Sequence, residues 1–328
     1  MLEGSLFPQQ NSLTAAMKLE SLQAKEIDFD LTTQLASNRA AMHLVAEGFS
    51  EEWQRFIKAS IDAALFCHSG HTRIGNPPIH YSHHLLEVMR RVHSISTAEP
   101  TIDEKTKAIR LSVAVLHDSM EDIAETFTQI TDRKQGADLV EHYIRARLQE
   151  VTTPECLDLL CSSIRTLSIE NDADFNDSTY VLGILNSQIC TPIKWADVDH
   201  NMLTLPRVGP ASGAISYPAQ YGDLMKGSPF YSTFVRQVLV SATHMRQKIK
   251  PDDLGANAIG RALQELYRFE GIEGLERLTK FYQAAQAQLR TDSDSEVFKD
   301  LGAPKKLLDA VQNMLTALEA AQKVLTEC

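Results

Sequence analysis

The sequence predicts an all-α protein, on three observations. Apolar residues recur at helical spacing along most of the chain, and strand-like alternation is scarce. The last stretch places Leu307, Leu308, Val311, Leu315, Leu318 and Leu325 at helical spacing, a stripe that suits packing against the rest of the chain. In order, residues 1–12 read as a loose terminus. Leu31 to about Ser69 reads as two helices, with Ser50 as the N-cap of the second and Glu51 and Glu52 in its first turn. Residues 71–79, with Gly75, Pro77 and Pro78, form a loop. A helix runs from near His83 to about Ser96. Thr101 with Glu104 gives a capping-box signal for the next, which is expected to continue through LHDSMEDIAE. Further helices are expected over 136–150, 154–168, 178–190 and 193–205. The Gly-, Pro- and Ser-rich residues 206–229 read as a long loop, either a surface excursion or an active-site lid. Helical pattern resumes over Tyr231–Ile249, 256–270, 272–290 and 304–326, with a polar break at 291–296.

Composition narrows the function classes. The 328 residues are 43% hydrophobic and 23% charged, an ordinary globular balance able to bury a core without disulfides. With 32 Lys and Arg against 43 Asp and Glu, the formal net charge is −11, and there is no clustered basic run. Such a surface repels nucleic acid and anionic lipid, so no nucleic-acid or membrane partner is expected. The five cysteines (Cys67, Cys156, Cys161, Cys190 and Cys328) show no CxxC pair and read as reduced thiols. The N-terminal segment lacks the basic and apolar runs of a secretory signal, and no apolar stretch approaches the ~20 residues of a membrane span. A cytoplasmic protein is expected.

Three segments carry metal-capable side chains. In VAVLHDSMED (113–122) an apolar run leads into His117 and Asp118, followed by Glu121 and Asp122 on the same helical face. Such crowded carboxylates form either a solvated acidic face or a site that needs a cation. In IHYSHHLLEVMRRVHSI (79–95), His84 shares a face with Val88, Val92 and Ile95, whereas His83 lines up with Glu87 and Arg90. Helical phase therefore selects His84 as the ligand, with His83 the alternative; His80 and His93 read as surface residues. In IKWADVDHNMLTL (193–205), Asp197 sits among apolar neighbours with Lys194 and Asn201 on its face. Asp199 is expected to face solvent, and Trp195 to pack in the core. Two His and two Asp make a mixed nitrogen and oxygen site. Such a site suits Mn²⁺, with Fe²⁺, Zn²⁺ and Mg²⁺ as alternatives, and leaves positions open for water and substrate.

Over roughly residues 60–205 the chain resembles the hydrolase domain of RelA/SpoT-type alarmone enzymes, a branch of the HD-domain phosphohydrolases. Three ordered segments carry the resemblance: HSGHTRIGNPPIHYSHH, the HDxxED pattern at His117, Asp118, Glu121 and Asp122, and KWADVDHNM beginning at Lys194. It departs from the family pattern at IRTL (164–167), which lacks the family's Lys, and in extra residues between Asp122 and Asp197. The resemblance implies an HD-domain helical bundle over 31–250, preceded by an N-terminal extension (1–30) and followed by an appended C-terminal helical segment (251–328). It implies Mn²⁺-dependent removal of the 3′-pyrophosphate from guanosine tetra- or pentaphosphate by a stand-alone hydrolase. Carried over by residue, His84, His117, Asp118 and Asp197 bind the metal. Glu121 and Asp122 activate water and manage the proton on the leaving ribose oxygen, while Arg73, Lys194 and Asn201 hold the nucleotide. The alternatives are another nucleotide substrate (an adenosine alarmone, NADPH or a nucleoside phosphate) or a non-enzymatic nucleotide-binding regulator.

Overall fold

Helix after helix follows the apolar periodicity of the sequence. The computed structural model describes residues 29–73, 78–126, 133–168, 178–245, 258–291 and 304–326. The expectations for 1–12, for Gly75 and Pro77, and for most of 291–296 lie outside those residues. Its backbone contacts group into two compact units, 1–196 and 197–328. The division falls earlier than the 250/251 boundary expected from sequence.

The described part of the first unit contains helices α1 (Phe29–Ala46) and α2 (Glu51–Cys67), then strands β1 (Thr72–Arg73) and β2 (Ile79–His80). There follow α3 (Ser82–Ala98), α4 (Glu104–Leu116), α5 (Ser119–Thr126), α6 (Arg133–Leu148), α7 (Pro154–Leu167) and α8 (Ser178–Leu185). The loop expected over 71–79 thus contains a short antiparallel hairpin, with Thr72 opposite His80 and Arg73 opposite Ile79. Helix α4 is the centre of this unit. Every residue from Ala108 to Leu116 is buried, and the helix packs against α2, α3 and α7. A helix apolar around most of its circumference belongs in a core, and the VAVL run is that signature. Its one buried charge, Arg110, is satisfied by the Gln188 carbonyl at 2.8 and 3.0 Å, by Ser96 Oγ at 3.3 Å and by the Glu99 carboxylate.

Two capping expectations change. The N-cap of α4 is Asp103, whose Oδ1 accepts from the Thr106 N–H at 2.7 Å, rather than Thr101. Glu104 instead accepts from the Ser50 N–H (2.7 Å) and Ser50 hydroxyl (3.1 Å). Ser50 stands at the N-cap position of α2, but its hydroxyl is spent on tying the starts of α2 and α4 together. The helix expected to run through LHDSMEDIAE is broken: α4 ends at Leu116, and α5 begins at Ser119.

Helix α9 (Cys190–Met202) contains the division between the units. The second unit continues with α10 (Leu205–Val208), a π-helical turn (Ser212–Ser216), α11 (Tyr217–Met225), α12 (Tyr231–His244), α13 (Ala258–Thr291) and α14 (Pro304–Thr326). The loop expected over 206–229 is therefore mostly helical. Pro206 and Pro218 stand in the first turns of α10 and α11, where proline's missing N–H is not needed. Gly213 lies so near α12 that a Cβ there would come within 2.4 Å of Ser241 Oγ. The Tyr282 hydroxyl on α13 donates to the Ala214 carbonyl at 2.7 Å and anchors the π-helical turn. Helix α13 is kinked at Gly271 (φ 59°), matching the separate helices expected over 256–270 and 272–290. In α14, Leu307, Val311 and Leu318 of the expected stripe are buried, together with Met314, Ala317 and Ala321, while Leu308, Leu315 and Leu325 are half-buried. No helix among the described residues is long and apolar enough to cross a membrane.

Candidate metal centre

The end of α4 delivers two side chains into the interior. His117 is the C-cap of α4, and its Nδ1 bonds the Ala114 carbonyl at 2.8 Å. A ring nitrogen facing a carbonyl must carry the proton, so Nε2 is left with its lone pair directed away from that carbonyl. His84, on the buried face of α3, is fully buried and brings its Nε2 to 3.4 Å from His117 Nε2. Asp118 Oδ2 completes a triangle, 3.2 Å from His84 Nε2 and 2.9 Å from His117 Nε2. His83, by contrast, is half-exposed.

Asp197 is the first residue past the division between the units, within the continuous helix α9. It offers an oxygen within 4.8 Å of the other three ligand atoms. Two further bonds orient the carboxylates. The Tyr81 hydroxyl donates to Asp118 Oδ2 at 2.6 Å, and the Asn201 amide donates to Asp197 Oδ1 at 2.7 Å.

This donor set fits a divalent transition ion. Edges of 2.9–3.4 Å suit donors bound at ~2.0–2.2 Å from one centre. A proton can bridge two of these atoms, whereas an ion satisfies all of them. Electrostatics agree: burial pushes the His84 ring down to about 4, which keeps it neutral. Burial opposes charge on Asp118, yet the facing His117 and His84 rings hold its carboxyl well below the usual range. Metal binding takes neutral imidazole and ionised carboxylate, so a proton shared between Asp118 and its histidine partners would leave as an ion enters.

The other expected residues are placed as follows. Glu121 and Asp122 stand half-buried in the first turn of α5, and the Asp122 N–H bonds the Asp118 carbonyl at 2.9 Å. Burial foremost, and then the charge of Asp118, raises the Asp122 carboxyl to about 8. Arg73 on β1 sets its guanidinium 5.7 Å from the centre of the Tyr81 ring. Lys194 and Trp195 are half-buried on α9. Asn201 has its amide nitrogen engaged by Asp197, so it orients a candidate ligand.

Two surface expectations are overturned. His80 is buried, held between Ser82 Oγ (2.9 Å) and the Ser69 carbonyl (3.2 Å), where it secures the hairpin to the start of α3. Asp199 is buried as well, at 4% exposure.

Sequence reasoning missed a second cluster. His68, His71 and Asp122 each offer a ligand atom, and these atoms lie within 4.8 Å of one another. The available signal is an H-x-x-H spacing just past the end of α2, which straddles the expected helix end near Ser69 and the loop expected over 71–79. Comparison of the chain with family models, curated proteins and solved structures found no match.

Proposed function

We propose that the chain is a metal-dependent phosphohydrolase acting on a phosphorylated nucleotide, removing the 3′-pyrophosphate of guanosine tetra- or pentaphosphate. The observation that carries this reading is the convergence of His84, His117, Asp118 and Asp197. The preference for a guanosine alarmone rests on the resemblance of the three sequence segments. A divalent ion held by these residues supplies a Lewis acid that screens phosphoryl charge and acidifies water.

The protein's own groups divide the remaining work. Tyr81 and Asn201 fix the two carboxylate ligands. Glu121 takes the proton of the water that attacks phosphorus, and Asp122 returns one to the ribose 3′ oxygen as its bond to phosphorus breaks. The Arg73 guanidinium clamps phosphate oxygens in its planar fork, and Lys194 adds a point charge against an otherwise acidic protein.

Metal analysis of the purified protein and a panel of phosphorylated nucleotides test the reading. Mn²⁺ is expected to support pyrophosphate release from guanosine tetraphosphate. Asp118→Ala and Asp197→Ala should keep the helical circular dichroism spectrum and lose both the ion bound at this site and turnover. Their loss should exceed the ~10–100-fold typical of outer partners. Hydrolysis by either variant at the wild-type rate overturns the assignment, and activity confined to other nucleotides removes the guanosine alarmone alone.

A further inference from the structure

We infer that the first unit holds a second divalent-metal site, formed by His68 Nδ1, His71 Nδ1 and the Asp122 carboxylate. These side chains come from three places in the fold. His68 caps the C-terminus of α2, with its N–H bonded to the Ala64 carbonyl at 3.0 Å. His71 opens the hairpin and is pinned from both directions: its N–H bonds the His68 carbonyl, and its carbonyl accepts from the Tyr81 N–H, each at 3.0 Å. Asp122 stands on α5. Their backbones are therefore fixed independently of any contact among the side chains.

The atoms face one another at ligand spacing. His68 Nδ1 lies 3.2 Å from His71 Nδ1 and 3.6 Å from Asp122 Oδ2. The first edge falls within the 2.9–3.4 Å range of the His84, His117 and Asp118 triangle, and the second lies just beyond it. The His68 ring is also prepared: its Nε2 faces Ser119 Oγ at 3.4 Å, and its face stacks on Tyr81 at 4.6 Å between centres. A proton on Nε2, directed at the hydroxyl, leaves the Nδ1 lone pair for the cluster. This is the arrangement by which a second partner fixes a metal-binding imidazole. Two imidazoles and one carboxylate suit Zn²⁺, Mn²⁺ or Fe²⁺ more than Mg²⁺ or Ca²⁺. His68 is fully buried, and His71 and Asp122 are half-buried, so the site is reachable from one side.

Tyr81 links this site to the first, stacking on His68 while its hydroxyl donates to Asp118. An ion bound there would hold Asp122 as an ionised ligand and so withdraw it from proton delivery to the ribose oxygen, while Glu121 keeps its place as the proposed base. The second site stands on its own geometry and does not depend on the nucleotide chosen above.

Calorimetric titration of chelator-treated protein with MnCl₂ and with ZnCl₂, checked by elemental analysis, is the test. Wild type should bind two ions per chain, and His71→Gln and His84→Gln one each. His71→Gln replaces a half-buried side chain and should preserve the fold; Asp122→Asn gives a second removal of the same site. One ion per chain, lost in His84→Gln and kept in His71→Gln and Asp122→Asn, overturns the second site and leaves the first. One ion lost only in His71→Gln and Asp122→Asn supports the second site and removes the first. No bound ion in wild type overturns both.

Discussion

Tyr81 touches both clusters with different parts of one side chain. Its hydroxyl donates to Asp118 at 2.6 Å, and its ring lies against His68. Tyr81→Phe keeps the ring and removes only the donor. It should weaken binding at the His84 and Asp118 site by ~10–100-fold, with little change in fold. Metal titration of that variant decides the matter, since unchanged affinity would make the hydroxyl a bystander. At this scale the sequence was legible where a residue lies on an amphipathic helix. The buried face of α3 separates His84 from His83 by phase alone. It was illegible where tertiary partners settle burial. His80 is polar and precedes a helix, yet Ser82 and Ser69 satisfy it in the interior. His68 ends its helix, where periodicity gives no further guidance, and its relation to Asp122 exists only once α5 has packed nearby.

Helices and turns show a different pattern of success. Long periodic helices such as α2, α7 and α14 lie close to where apolar spacing puts them, because burial of one face is a property of the segment itself. Residues 206–229 misled because glycine, proline and serine are read as loop formers. Here proline starts helices, and glycine permits close packing. Gly213 makes that argument testable. A methyl group there would meet Ser241 Oγ at 2.4 Å and Leu205 Cβ at 3.3 Å, so Gly213→Ala is expected to destabilise by ~1–3 kcal/mol. Adding Ser241→Ala removes the nearest atom and should restore part of that loss. Denaturant unfolding of both single variants and the pair would then show a coupling of ~0.5–3 kcal/mol. Strict additivity would mean that the two helices separate freely. The division of the chain within α9 was not legible either, since a continuous helix carries no local mark of which neighbours each turn will join.

Over the whole molecule, the cysteines provide a reporter for the unit that carries His84, His117 and Asp118. Cys67, Cys156, Cys161 and Cys190 are all buried, and all fall within residues 1–196. Burial pushes the Cys161 thiol up to about 12 and raises that of Cys190. Only the thiolate attacks a disulfide reagent, so these two are protected twice, by exclusion and by their protonated state. Labelling therefore waits for opening of this unit, and its rate follows the population of open molecules when reclosing is fast. Ligation by His84, His117 and Asp118 belongs to the closed form, so a bound ion should suppress opening by mass action. At Mn²⁺ about 100 times the dissociation constant of a site, that site alone contributes a suppression of about 100-fold. We expect aromatic-disulfide labelling at pH 8 to slow by at least that order in wild type, and to show no Mn²⁺ dependence once both His84→Gln and His71→Gln are introduced. Equal labelling rates with and without Mn²⁺, in protein shown to hold the ion, would place the ion away from these residues.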